Sequence, residues 1–231
     1  MKRFYAHASV RATADGHAVE LDGKPLRTPA KAPLVVPSAA LAQAIAEEWG
    51  AQGEEVKPAE LPLTRLAGTA IDLVTPRRAE VVAEVARYAG TDLVCYRAGH
   101  PPELATRQHV AWQPLIDWAT LRYDAPLDVT AGVVPIAQAT GTLRAFTAAV
   151  DAYSPLELAA LHLATAACGS LIVALALLEG RLDAEEAFAA SQLDETFEIE
   201  LWGEDAEQMQ RRAALMDDIA LAARLVRLLR R

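Results

Sequence analysis

The longest apolar stretch of the chain, residues 154–180, restricts the possible fold more than any other feature of the sequence. Within residues 158–178 the only strongly polar side chain is that of His162. An S-x-x-E capping box opens the stretch at Ser154 and a glycine closes it, so the pattern predicts one continuous helix. A helix that is apolar on every side must be buried, either in a protein core or in a lipid bilayer.

A bilayer and a protein core place different demands on this predicted helix. Residues 158–178 are numerous enough to span a membrane, but only LIVALALL, residues 171–178, is strongly apolar. The first half is rich in Ala, Thr and other small residues, which add little to membrane insertion, and no cluster of Lys or Arg flanks the stretch. We therefore predict a central helix buried among other helices, with no stable membrane insertion. Membrane association through this helix or through the basic end RLVRLLRR is the alternative.

Composition limits the class of protein. The chain has 231 residues, 52% of them hydrophobic, which is enough for a sizeable core, and its net charge of −9 opposes non-specific binding to nucleic acid. Cys95 and Cys168 form no metal or disulfide motif, so we expect reduced thiols in the core. The first residues, MKRFYAHASV, lack the apolar run of a signal peptide, and a cytoplasmic protein is expected.

The first third of the chain has the pattern of a small α+β unit. Short alternating segments within residues 1–37, separated by Asp-Gly turns at residues 15–16 and 22–23, predict an antiparallel meander. A helix follows Ser38, with Leu41, Ile45 and Trp49 on one face, so Trp49 is expected to have a structural role in the core.

The remainder of the chain is predicted to be helical. Residues 190, 193, 197 and 201 form one apolar stripe, which predicts a single helix that ends at Trp202-Gly203, and Trp202 is also assigned a structural role. The predicted fold class is α+β. A small N-terminal α+β domain, residues 1–74, precedes an all-α orthogonal helical bundle around the buried central helix, residues 75–231.

No motif for catalysis, nucleotide binding or metal binding occurs in the sequence. It contains no P-loop, no G-x-G-x-x-G after a strand, no G-x-S-x-G and no H-E-x-x-H, so no cofactor and no metal are predicted. His162 on the apolar stretch is interpreted as a hydrogen-bonded core histidine, and Cys168, six residues later, lies on another helical face. The alternative is a small-molecule enzyme with a site around His162 and the acidic residues described next.

An acidic segment follows the apolar stretch. Residues 183–207 include ten Asp or Glu residues and no Lys or Arg. Such a run is commonly just a solvated face, but like charges at i, i+4, as at Asp194 and Glu198, destabilise a helix by about 0.2–0.5 kcal/mol per pair. The acidic segment therefore suits a basic partner or the basic tail of the same chain. A second unusual segment, LDGKPLRTPAKAPL, is interpreted either as a turn-rich connection between strands or as a docking ribbon.

Six segments in order resemble one family. They are LDGKPLRTPAK, EEWGAQGEEV, PLTRLAGTAID, YAGTDLVCYRA, CGSLIVALAL and LDETFEIELWGEDAE. Together they resemble the ATP synthase assembly chaperones that hold the isolated alpha subunit of the catalytic head, in the bacterial branch. The resemblance implies a non-catalytic monomer that covers the alpha subunit until the beta subunit replaces it. It also implies a functional acidic position at Asp194 or Glu195. The expected partner-binding residues are Asp194, Glu195, Glu198, Glu204 and Asp205.

Overall fold

The computed structural model describes residues 1–132 and 134–230. They group into two compact units, each discontinuous in sequence. Unit 1 contains Met1–Arg78, Ser154–Ala160 and the chain end from Arg224, whereas unit 2 contains Ala79–Tyr153 and Leu161–Ala223. The division into continuous domains, residues 1–74 and 75–231, stays a prediction.

A four-stranded antiparallel sheet forms the first part of unit 1. Strand β2 is central: it pairs with β1 along one edge and with both β3 and β4 along the other. The turn between β2 and β3 has positive φ at Asp22 and Gly23, 49° and 76°, as a type I′ hairpin turn requires. The strands are β1 (Ala8–Thr13), β2 (Gly16–Leu21), β3 (Lys24–Pro25) and β4 (Val35–Val36).

Two helices follow this sheet, and the first of them, which the sequence predicts after Ser38, packs against it. Ser38 caps α1 (Ala39–Gly50) by accepting a hydrogen bond from the backbone N of Leu41. A 3₁₀ turn, Pro58–Glu60, leads to α2 (Pro62–Thr69), which continues as one π-helical turn, Ala70–Val74.

The buried carboxylate of Glu48 caps α2 from the neighbouring helix. It accepts hydrogen bonds from the backbone N of Leu63 at 2.7 Å and of Thr64 at 2.9 Å. Because the first N–H groups of a helix have no partner within it, this carboxylate fixes where α2 begins.

The described residues form eight further helices. A short parallel pair of strands, β5 (Tyr96–Arg97) and β6 (Thr130–Ala131), flanks the longest helix of unit 2. Pro114 lies inside that helix without dividing it. The helices are α3 (Arg78–Ala86), α4 (Pro102–Tyr123), α5 (Thr140–Asp151), α6 (Pro155–Cys168), α7 (Leu171–Leu178), α8 (Ala184–Ser191), α9 (Leu193–Trp202) and α10 (Ala206–Leu229); 3₁₀ turns occur at Arg87–Gly90 and Leu93–Cys95.

The predicted fold class, a small antiparallel sheet followed by a helical bundle, is confirmed, but the central helix is not continuous. Gly169, with φ of 63°, ends α6, and Ser170 caps α7 by accepting a hydrogen bond from the backbone N of Val173 at 3.0 Å. A glycine stop followed by a serine cap makes two helices from one apolar stretch. All eight residues of α7 are buried. Among the described residues, no helix combines the length and apolar character that crossing a bilayer requires.

A buried aspartate fixes the start of α7. Asp92 accepts hydrogen bonds from the Ser170 hydroxyl at 2.5 Å and from the backbone N of Ile172 at 3.1 Å. It also accepts one from the backbone N of Val94 at 3.2 Å, which caps the 3₁₀ turn that follows it. Burial raises the pKa of this carboxyl to about 6, although each hydrogen bond lowers it. Helix α7, all of whose residues are buried, therefore begins at a carboxyl group that is itself fully buried.

The cysteines are buried free thiols, as expected. Burial raises the pKa of Cys95 and of Cys168 to about 12, so neither thiol ionises near neutral pH. The apolar stripe that ends at Leu201 corresponds to two helices rather than one, since α8 stops at Ser191 and α9 begins at Leu193.

Candidate partner-binding site

Five carboxylates on α9 and on the loop after it form what we call the acidic surface: Asp194, Glu195, Glu198, Glu204 and Asp205. Asp194 and Glu195 occupy the first turn of α9, where negative charge is favoured by the helix dipole. Gly203, with φ of 90°, ends the helix and begins the loop. Local sequence thus places two carboxylates in the first turn of a ten-residue helix, Glu198 in its middle and two in the loop after it.

Asp194 is held in place by a buried glutamine of α4. Its Oδ1 accepts a hydrogen bond from Gln108 Nε2 at 2.7 Å. Gln108 is 1% exposed, and its Oε1 accepts from the backbone N of Ala98 at 2.6 Å. Because Gln108 is neutral, Asp194 keeps its negative charge while its position is fixed. This contact has no signal in the sequence, since residues 108 and 194 are far apart in the chain.

One acid of α9 outside the acidic surface is neutralised. Glu200 forms an ion pair with Arg107 at 2.6 Å, and the Arg107 guanidinium also lies over the Phe197 ring, 5.2 Å from its centroid. Glu195, Glu198 and Glu204 form no ion pair with any described residue. The acidic surface therefore keeps uncompensated charge, which a basic partner would neutralise.

Asp205 has a local role in addition to its charge. Its Oδ1 accepts a hydrogen bond from the backbone N of Gln208 at 3.0 Å, the geometry of an N-cap for α10. Glu204 beside it is exposed. The loop thus presents two adjacent carboxylates immediately before a helix, only one of which is used by the fold.

The structural role predicted for Trp202 has to be corrected. Trp202 is 86% exposed and Leu201, expected in a buried stripe, is 58% exposed. The stripe holds only as far as Phe197, because the last turn of α9 extends beyond the elements that cover it. An exposed Leu-Trp pair among carboxylates is unusual on a surface, and large aromatic residues of this kind are enriched at interface centres.

Trp49, the other tryptophan assigned a structural role, lies at a different place in unit 1. It is 8% exposed, and its Nε1 donates to the Thr64 hydroxyl at 3.1 Å. Its backbone carbonyl accepts from the Tyr5 hydroxyl at 2.7 Å. The residue therefore links α1, α2 and the N-terminal segment.

His162 is not the core histidine that the sequence predicts. Its side chain is 41% exposed, and its Nε2 lies 3.3 Å from Glu84 Oε1 on α3. It occupies the least buried face of α6, which the hydropathy of the whole stretch conceals. Asp194 contacts Gln108 of α4 instead, and within the part of the chain that the structure describes no hydrogen bond or ion pair joins Asp194 to His162. Among the described residues, no group of three His, Cys, Asp or Glu could hold a metal ion.

Comparison with known proteins identifies the family. The family model described as ATP12 chaperone protein matches residues 2–120, half of the chain. The chain belongs to the ATP12 chaperone family. This is a family of ATP synthase assembly chaperones rather than enzymes, as the resemblance of the six segments implied.

Relatives of this ATP12-family chain match it over nearly its whole length. The mitochondrial protein atp12 of Schizosaccharomyces pombe is 26% identical over 222 residues, which cover 90% of this chain and 76% of that protein. The crystal structure of Atp12 from Paracoccus denitrificans is 43% identical, covers 99% of this chain and 98% of its own, and has a TM-score of 0.95. An aspartate-to-lysine mutant of that protein is 42% identical with a TM-score of 0.96, covering 99% and 97%.

Proposed function

We propose that this ATP12-family chain binds the unassembled alpha subunit of the ATP synthase catalytic head and prevents its aggregation until the beta subunit replaces it. Membership of a family of assembly chaperones supports the class of activity. The observation that carries the proposal for the site is the acidic surface, where Glu195, Glu198 and Glu204 have no ion-pair partner among the residues described.

The physical requirement on such a chaperone is to bind and then to release. An unassembled subunit exposes an apolar interface, which promotes aggregation. Charged contacts accelerate association and select the partner, yet add less net affinity than a large apolar interface would. An interface with charged residues at its rim therefore lets the beta subunit displace the chaperone.

The exposed end of α9 adds an apolar contact to this charged rim. Trp202 and Leu201 would be covered by the alpha subunit, while the carboxylates on either side face its basic groups. A tryptophan face also attracts guanidinium and ammonium groups, so aromatic and acidic side chains here favour the same partner.

The test is a charge reversal that leaves the fold intact. Glu195→Lys with Glu198→Lys removes two unpaired carboxylates, and we expect the stability to fall by no more than about 1 kcal/mol, mainly through the lost helix-dipole contribution of Glu195. Affinity for purified alpha subunit should fall at least about tenfold, since buried or rim charge complementarity is replaced by like-charge contact. Light scattering of alpha subunit mixed with the unmodified protein or with the variant, each compared with alpha subunit alone, then reports whether protection from aggregation is lost.

A matched control separates this site from the net charge. Glu54→Lys with Glu55→Lys changes the charge of the protein equally, at two adjacent exposed carboxylates of unit 1. It should leave affinity for the alpha subunit within about twofold, the range of long-range screened effects. Equal capture by both double variants would refute the assignment of the site, and no capture by the unmodified chain would refute the proposed function.

The proposal also includes a monomeric protein in the cytoplasm of a bacterial cell. Size-exclusion chromatography with light scattering measures the first, and fractionation of the native cell measures the second. A dimer whose contact covers Trp202 would compete with the alpha subunit and would contradict the proposal.

A further inference from the structure

Charge is divided unequally between the two units. By sequence, unit 1 contains fourteen Lys or Arg and ten Asp or Glu, a net charge of +4. Unit 2 contains eight Lys or Arg and twenty-one Asp or Glu, a net charge of −13. The net charge of −9 for the whole chain therefore conceals a basic unit. The acidic surface belongs to unit 2, so the proposed binding site does not include the basic residues of unit 1.

A short loop of unit 1, residues 27–32, contains two cationic residues and is held by hydrogen bonds, and we call it the basic loop. The Thr28 hydroxyl donates to Asp72 Oδ1 at 2.7 Å, and the backbone N of Ala30 donates to Asp72 Oδ2 at 2.9 Å. Within the loop, the backbone N of Thr28 donates to the carbonyl of Ala32 at 2.9 Å. The loop is thus held rigidly against the π-helical turn Ala70–Val74.

Lys31 at the tip of the basic loop has an unfavourable backbone conformation. Its φ is 70°, in the left-handed region, where glycine is favoured and a long side chain is not. The other non-glycine residues described with positive φ are Asp22 and Asp124, a residue type that tolerates this region. A glycine at position 31 would adopt this φ without strain.

Three exposed cationic side chains belong to the basic loop and to α2, which approaches the loop at Gly68 and Pro29. The Arg27 guanidinium donates from Nη1 to the carbonyl of Lys31 at 2.8 Å, which fixes both residues on one side of the loop. Arg65 lies one turn before Gly68 on α2. Gly68 faces the loop, since a Cβ added to it would lie 3.7 Å from Pro29 Cδ. All three are exposed, and none forms an ion pair with another part of the chain that the structure describes.

We propose that Arg27, Lys31 and Arg65 form a second docking surface, which binds an acidic segment of the same client polypeptide that the acidic surface binds. This inference rests on the proposed function. Two cations on a hydrogen-bonded loop and a third on the neighbouring helix match a few carboxylates on a folded or extended chain. Nucleic acid and anionic membranes present charge over a far larger area than three side chains contact.

The main test is a pair of neutral substitutions that the backbone tolerates. Lys31→Gly with Arg65→Gln removes two charges, and the glycine suits the positive φ, so the thermal midpoint should not fall. The dissociation constant for purified alpha subunit should rise by about 2- to 30-fold at low salt, the range for losing two solvent-exposed ion pairs. This difference should shrink as salt is added.

The control is Lys2→Gln with Lys57→Gln, which removes the same charge from the same unit at exposed positions away from the basic loop. If the two double variants bind equally while the unmodified chain binds tightly, the second docking surface is refuted and the proposed function stands. If the unmodified chain does not bind alpha subunit at all, both fail together.

Carbodiimide coupling identifies the partner group directly. The reagent activates a carboxylate, and a neighbouring lysine amine displaces it to form an amide, so a cross-link from Lys31 to an Asp or Glu of the alpha subunit is expected. Lys31→Arg should keep the affinity and lose the cross-link, because arginine retains the charge but does not couple. Cross-links confined to Lys57, or loop-dependent binding to phosphatidylserine vesicles in place of alpha subunit, would overturn the inference.

Discussion

The buried carboxyl of Asp92 makes the stability of the protein depend on pH in a direction opposite to that of most aspartates. Burial raises its folded-state pKa from 3.8 to about 6, against the hydrogen bonds from Ser170, Ile172 and Val94. The folded protein therefore holds this proton more tightly than the unfolded chain does. Its contribution to stability is complete below about pH 4 and is lost as pH rises through about 6.

The size of the effect follows from the two pKa values. Each pKa unit corresponds to about 1.4 kcal/mol, so ionisation of Asp92 lowers the free energy of unfolding by about 3 kcal/mol between pH 4 and pH 7. The Asp92→Asn variant remains neutral throughout. Its amide group meets the backbone N–H of Ile172 donor to donor, which costs about 1–3 kcal/mol at every pH.

Urea unfolding of both proteins between about pH 4 and about pH 7 isolates this one group, because the other carboxylates titrate alike in each. The stability of the unmodified chain relative to Asp92→Asn should fall by about 3 kcal/mol across that range. Asp15→Asn, in an exposed turn, is the control, and the same comparison with it should show no such slope. A stability difference that stays constant with pH would show that hydrogen bonding to the carboxylate offsets burial. A difference that grows with pH would show that hydrogen bonding outweighs burial.

Three further predictions concern capping, backbone conformation and the anchoring of the acidic surface. Glu48→Ala leaves two backbone N–H groups of α2 without an acceptor and should cost about 1–3 kcal/mol in urea unfolding, whereas Glu47→Ala, at an exposed neighbour, should cost less than about 0.5 kcal/mol. Gly169→Ala should cost about 1–2 kcal/mol because φ is positive while no atom obstructs the new Cβ, but Gly141→Ala, inside α5, should gain about 0.5–1 kcal/mol; equal effects would contradict the reasoning. Asp194→Ala deprives a buried glutamine amide of its acceptor and should cost about 1–3 kcal/mol, so its loss of client binding has to be compared at matched folded concentration.

The fold was predictable where short-range patterns decide the structure. The turn at residues 22–23, the cap at Ser38 and the capping box at Ser154 each depend on neighbours within four residues, and each occurs as expected. The break between α6 and α7 also has a signal in the sequence, since Gly169 is followed by Ser170, a residue type that caps helices. The apolar character of the whole stretch concealed it, because hydropathy averages over the positions at which a helix stops.

The candidate site was predictable only in part, because its geometry depends on contacts between distant residues. The family resemblance pointed to the acidic residues of α9, but the hydrogen bond from Gln108 to Asp194 joins positions on different helices. Exposure of Trp202 depends on where the neighbouring elements end, which periodicity along one helix does not report. The same limitation applies to His162, whose face of α6 is open although its sequence neighbours are apolar.

The exposed indole of Trp202 makes the intrinsic fluorescence of the protein sensitive to whatever binds at the end of α9. Trp49 and Trp112 are buried and Trp118 is partly covered, so a small aqueous quencher such as acrylamide reaches the ring at the end of α9 first. Unlabelled protein can therefore be followed by its own emission: a blue shift with loss of quenching marks the moment that another molecule seats on α9, and recovery of quenching marks its departure.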